Sequence, residues 1–161
     1  YVGVSFYKGG YGGSEHVFIA AVQGQALGLG CAIAGVCDIT IADESALFQL
    51  PEMQYHLPPT LAISAIVDKI GKKSTAWMAY SLDKMDAHRA REMGLINSVV
   101  PVGKLDAELE RLLDTLTQRD LMAVKAVKEY LHVAPESGPA VRSMASNLLA
   151  LALSTQAAQK S

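Results

Sequence analysis

Aromatic residues make up only 6% of the sequence, while Ala, Leu and Val are abundant. A core must therefore be built from small and aliphatic side chains, which suits close-packed helices over buried strands. There are just two cysteines, Cys31 and Cys37, in one apolar stretch without a pairing pattern. That excludes a disulfide scaffold and reads as reduced core thiols. No basic block stands out and the net charge is only −2, so there is no electrostatic case for nucleic acid. Apolar runs such as 17–22 fall far short of the ~20 residues that span a bilayer. His16, His88 and His132 have no ligand spacing with the cysteines, so no metal site is expected. The chain opens on Tyr1 with no initiator Met, which points to upstream sequence, and no signal-peptide layout is visible.

What remains is the profile of a soluble, intracellular globular protein. Half of the 161 residues are hydrophobic and 19% are charged, enough for one sizeable core. The expected compartment is the cytoplasm, or a mitochondrial or peroxisomal matrix in a eukaryote.

Along the chain, 1–7 is compatible with a strand and 8–14 with a flexible Gly-rich link. Residues 17–22 read as a strand buried on both faces. Gly24, Gly28 and Gly30 punctuate a turn, and a short helix follows at 29–36. A strand is expected at 39–42, and a short one around Leu47 and Phe48 that Pro51 ends. Beyond Pro59 the period becomes helical. One helix carries Leu61, Ala65, Ile66 and Ile70 and stops at Gly71; another spans 73–80. Asp86 is placed to cap a third helix that Gly94 closes. A short edge strand is expected at 99–101. Leu105, Leu109, Leu112, Leu113 and Leu116 then form one apolar stripe, helix continues through 122–133, and a last helix is expected at 140–158. No internal repeat is visible. The succession predicts an α/β layer followed by a helical extension.

Chemistry concentrates between residues 18 and 59. A buried strand feeds a Gly-rich turn that opens a helix, whose first N–H groups and dipole favour negative charge, either a phosphate or an oxyanion. Pro51 and Glu52 follow a strand end, where open α/β sheets commonly hold their ligands. A dinucleotide reading of Gly28, Gly30 and Gly35, with Asp43 for a ribose, fits poorly because the strand–helix–strand unit is too compact. Taken alone, Glu52 reads first as a turn carboxylate, His56 equally as a hydrogen-bonded loop residue, and Lys72 and Lys73 equally as a solvated helix start.

Residues 19–24, Ala26, Leu27, Gly28, Gly30, Cys31, then Cys37, Asp38 and Ile39, and 48–52, occur in an order and spacing that resemble the crotonase (enoyl-CoA hydratase/isomerase) family. The likeness continues through Gly71 and Lys72, Asp86 and Ala87, 90–96, and 99–101. The resemblance implies an α/β, crotonase-like (ClpP/crotonase) ββα spiral core at 1–101 with a helical C-terminal region for assembly at 102–161. It implies an acyl-CoA substrate, with coenzyme A as part of the substrate and no separate cofactor, and a homotrimer or homohexamer.

Carried over by position, the helix-side oxyanion donor falls on the N–H of Leu29, where the family usually has glycine. The second donor belongs to the family's N-terminal half. Of the two hydratase glutamates, the first aligns with Ala32 and the second with Glu52. Gly28, Gly30, Ala26, Leu27, His56 and Pro58 are expected around the substrate. A single glutamate resembles an isomerase more than a true hydratase. The alternative is a catalytically inactive scaffold or fragment that keeps the fold.

Overall fold

The computed structural model describes the backbone of residues 2–7 and the whole of residues 16–131, with the backbone continuing to Val133. The link expected at 8–14 and the last helix expected at 140–158 lie outside the described residues. Strand β1 (Val2–Tyr7) is followed by β2 (Val17–Val22), β3 (Gln25–Leu27) and helix α1 (Leu29–Val36). Then come β4 (Ile39–Asp43), β5 (Leu47–Gln49), a 3₁₀ turn (Glu52–Tyr55) and α2 (Thr60–Ser81). The chain continues through β6 (Met85–Asp86), α3 (Ala87–Glu92), β7 (Ser98–Val100), α4 (Leu105–Thr117) and α5 (Leu121–Val133).

The strands form two sheets, ordered β1-β2-β4-β7 and β3-β5-β6. Strand β2 pairs in parallel with β4, Ile19 opposite Ile39, and β3 pairs in parallel with β5, Gln25 opposite Leu47. Two consecutive strand–strand–helix units, β2-β3-α1 and β4-β5-α2, are therefore stacked one on the next, the first strands in one sheet and the second strands in the other. This is the ββα spiral. It is the spiral that the resemblance implied, a repeat of architecture with no matching repeat in the residues.

Two short strands were not anticipated. The segment read as a turn contains β3, three residues held between Gly24 and Gly28, and β6 is only two residues long. Neither is long enough to show an alternating pattern; both exist because β5 offers its edges.

Sheet β1-β2-β4-β7 is covered on two sides. Ala20, Val22 and Ala42 join the main core with Phe48, Leu50, Ile66, Met78 and Met85. Their neighbours Ala21 and Ile41 point the other way, against Leu105, Leu109 and Leu112 of α4. Burial on both faces explains why β2 reads as a continuous apolar run, and it gives part of the leucine stripe a core role. By its contacts the chain groups into two compact units, residues 1–7 with 17–114, and 8–16 with 115–161. Most of α4 thus packs with the sheets. In the second unit, Asp120 caps α5 by accepting from the Ala123 N–H, and the Lys128 ammonium donates to the His16 carbonyl.

The polar residues inside the sheet are all tied. Thr40 donates its hydroxyl to the Ala34 carbonyl at 2.6 Å and its N–H to Asn97 Oδ1 at 2.7 Å. Buried Asp43 accepts from both the N–H and the hydroxyl of Ser45, which leaves it no role toward a ribose. Asp38 accepts from the Phe18 N–H at 2.8 Å, pinning the start of β2 beside that of β4.

The helix stops expected from the sequence are realised. Gly71 interrupts α2 with φ 75 and ψ 161, so α2 is two helical halves meeting at a kink. Asp86 caps α3 through the Arg89 N–H at 2.7 Å. At the other end of α3, Gly94 donates to the Arg91 carbonyl and Leu95 to the Ala90 carbonyl, a Schellman closure around Gly94 at φ 84.

Candidate active site

Parallel pairing decides what meets at this site. Leu27 stands opposite Gln49, so β3 and β5 end together, and the residues that follow them leave the sheet at the same edge. Gly28 follows β3; Leu50, Pro51 and Glu52 follow β5. Residues 24 positions apart in sequence are thereby brought side by side, at the strand ends where such sheets place their ligands. The Gly28 N–H donates to the Gln49 carbonyl at 2.9 Å and locks the two exits together. Gln49 also donates its side-chain amide to the Leu82 carbonyl at the end of α2.

Gly28 has φ 52 and ψ −113, a backbone region in which an L side chain is strained. Its missing side chain leaves room for Glu52: a Cβ built there would lie 2.8 Å from Glu52 Oε1 and 3.9 Å from Pro51 Cδ. The Gly28 carbonyl accepts the first bond of α1, from the Ala32 N–H at 3.0 Å. The N–H groups of Leu29, Gly30 and Cys31 precede that bond, so they belong to the turn whose donors a helix leaves unpaired. The Leu29 side chain is 71% exposed and stands clear of the turn.

Glu52 opens the 3₁₀ turn and is half-buried. Its Oε2 is buried without a hydrogen-bond partner among the described residues. Burial pushes the Cys31 thiol up to about 12, and the nearby Glu52 charge adds to the shift. Cys31 therefore stays a neutral thiol under the carboxylate, a neighbour that the sequence reading treated only as core. It lies three residues after Gly28 on an eight-residue helix, and that spacing is the signal that could have placed it at the site.

The other expected residues divide into two groups. Ala26 is fully buried in β3, Leu27 is half-buried at its end, and Gly30 lies in the first turn of α1, all beside Gly28. Ala32, 6% exposed, sits one helical turn past Gly28. His56 and Pro58 are exposed and lie elsewhere, along a groove of about 680 Å³ between residues 53–59 and the two halves of α2. His56 ends the 3₁₀ turn at φ 59, its N–H donating to the Met53 carbonyl at 3.2 Å. Lys72 also lines the groove, whereas neither Glu52 nor Gly28 does. Among the described residues no group of three or more His, Cys, Asp or Glu is placed to hold a metal ion. No helix there is long and apolar enough to cross a membrane.

The sequence profile of enoyl-CoA hydratase/isomerase matches residues 12–161, nearly the whole chain. The chain belongs to the enoyl-CoA hydratase/isomerase family. Within that family, a probable enoyl-CoA hydratase of Mycobacterium bovis is 36% identical over 120 residues, covering 74% of this chain. A short-chain-enoyl-CoA hydratase of Clostridioides difficile is 31% identical over 145 residues, 89% of this chain and 93% of its own length. The crystal structure of a Thermobifida fusca protein in complex with CoA superposes with a TM-score of 0.80 at 28% identity over 86% of this chain. The chain spans about half the length of several relatives it matches: 47% of the M. bovis protein and 55% of the T. fusca structure. The crotonase fold expected from the sequence is the fold observed.

Proposed function

We propose that the protein acts on an acyl-CoA thioester through an oxyanion-stabilised enolate, with double-bond migration favoured over hydration. One observation carries the reading: the Glu52 carboxylate rests on Gly28, one residue before the Leu29 N–H, with Oε2 buried and unpartnered among the described residues. A buried carboxylate oxygen without a donor is costly in a resting protein and useful in one that must take a proton. In this reading Glu52 removes a proton from the carbon next to the thioester. The electron pair moves onto the thioester oxygen, which the Leu29 N–H holds as an oxyanion. Glu52 then returns the proton two carbons further along an unsaturated chain, so the double bond shifts and nothing is consumed.

Ala32 supports migration over hydration. By the family resemblance it aligns with the other catalytic glutamate, and a methyl group cannot orient or activate water. No cofactor beyond the coenzyme A of the substrate is needed. In the same reading the protein assembles as a homotrimer or homohexamer, and light scattering of the purified protein tests that assignment.

The test of the chemistry is Glu52→Gln in the full-length polypeptide, assayed for migration and hydration of short enoyl-CoA substrates. Migration should fall by about 10²–10⁴-fold, the range for losing a positioned acid–base group. Unchanged migration removes Glu52 from the mechanism, and hydration at ordinary enzyme rates in the unmodified protein overturns the preference.

A further inference from the structure

The groove along α2 is not part of the oxyanion turn, yet its wall begins at Met53, the residue after Glu52. Its lining is mostly aliphatic, with Leu57, Pro58, Ile63 and Val67 prominent. Its size falls in the range of small-molecule sites, and its composition, apolar walls with a few polar groups, is theirs as well. The charges are one-sided. Lys72 is the cationic side chain of the lining, His56 adds an imidazole, and no Asp or Glu lines it. Lys72 also follows Gly71 directly, so the kink in α2 sets the ammonium at the junction of the two helical halves.

We propose that this groove receives the far end of the acyl chain and that Lys72 selects chains ending in a carboxylate. The proposal rests on the acyl-CoA reading above and adds the substrate class. An apolar chain leaving a thioester at Gly28 and Glu52 follows Met53, Leu57 and Pro58 as its wall and meets a cation at its end. Lys72 is exposed, so its ammonium gains strength toward a carboxylate where a bound apolar chain fills the groove and displaces the competing water. A chain ending in a methyl group gains nothing from Lys72 and leaves the ammonium with less solvent.

The experiment compares suberoyl-CoA with octanoyl-CoA, thioesters of equal chain length that end in a carboxylate and a methyl group. Their binding to the full-length protein is measured by calorimetry, alongside Lys72→Met and Lys73→Met. Both lysines are exposed but only Lys72 lines the groove, so Lys73 controls for net charge. The expected result is roughly tenfold tighter binding of suberoyl-CoA, equivalent to about 1.4 kcal/mol. Lys72→Met should erase that preference and Lys73→Met should keep it. Equal binding of the two thioesters overturns the proposal. So does a Lys72→Met effect that weakens both alike, since the lysine would then serve the phosphates they share. Binding of neither thioester sinks the acyl-CoA reading itself and the groove assignment with it.

Discussion

The carboxylate of Glu52 lies so close over Gly28 that a methyl group on that glycine would stand 2.8 Å from Oε1. Glycine is required there twice over, by the positive φ and by the acid above it. Gly28→Ala should therefore damage the site by displacing Glu52 as well as by backbone strain, which costs on the order of 1–3 kcal/mol. The expected outcome is a lowered melting temperature together with a loss of turnover exceeding the loss of thioester affinity. If turnover and affinity fall equally, the glycine acts through stability alone.

A second prediction separates a functional acid from a structural one. Glu52 opens a 3₁₀ turn, where a carboxylate helps the local dipole, but its buried Oε2 has no donor among the described residues. An unsatisfied buried polar atom costs roughly 1–3 kcal/mol, more than an exposed dipole contact returns. Glu52→Met should thus leave the protein as stable or more stable while abolishing turnover. Clear destabilisation by urea titration would mean that the carboxylate serves the turn.

The elements that carry Gly28, Leu29 and Glu52 were more legible in the sequence than their surroundings were, and the reason is physical. Gly28, Leu29 and Glu52 each sit at the exit of a short element with clear local signals: a glycine before a helix, a proline after a strand. Their meeting depends on parallel pairing of β3 with β5, which no local pattern announces, so the family resemblance had to supply it. Strands β3 and β6 escaped notice because three and two residues cannot show a period. The ββα spiral, expected from the resemblance, leaves no repeat in the residues because its two copies solve burial differently: β2 is apolar throughout, whereas β4 buries Thr40 and Asp43 and satisfies them with hydrogen bonds. The groove is assembled from residues 53–59 and both halves of a kinked helix, so it exists only once the chain has folded back on itself.

Packing between α1 and α2 gives a third prediction. A Cβ at Gly35 would lie 2.5 Å from Ile66 Cγ2, and Ile66 is completely buried. A β-branched side chain cannot swing away at Cγ2, so Gly35→Ala should cost about 1–3 kcal/mol by overpacking. Adding Ile66→Ala, which removes that methyl, should make the double variant more stable than the sum of the two single changes. Strict additivity in chemical denaturation would show that the helices separate without meeting this contact.

The cysteines carry a fourth prediction. The Cys31 thiol stays protonated to about 12 against an ordinary value of 9.0, mainly through burial and then through Glu52. Cys37 is only half-buried. Since the thiolate is the reactive form, iodoacetamide at pH 8 should label Cys37 first and Cys31 only after unfolding. The raised value also fixes a sign. The stabilisation is complete below pH 9 and is lost as pH rises toward 12, because the unfolded chain releases its proton first. In that window the unfolding free energy should fall by about 1.4 kcal/mol per pH unit. Cys31→Ala should remove this slope, and a slope that persists would assign it to another group.

Ala32 bears on which reaction the site performs. It lies four residues after Gly28 on α1, so both face the same side of the helix, and helical side chains lean toward the N-terminus. A longer acid at position 32 would point back toward Gly28, where Glu52 already rests. Ala32→Glu should therefore place a second carboxylate beside the first and supply what hydration requires, a pair of groups that can hold and activate one water. The cost is predictable as well. Ala32 is 6% exposed, so the new acid is buried beside a like charge and the protein should lose stability. Ala32→Gln carries a similar burial cost without a second base. The expected result is a rise in hydration relative to migration for Ala32→Glu alone, read from product ratios on one enoyl-CoA substrate. If Ala32→Gln gains as much, the change in ratio comes from the altered shape of the pocket, and the missing carboxylate is not what separates the two reactions.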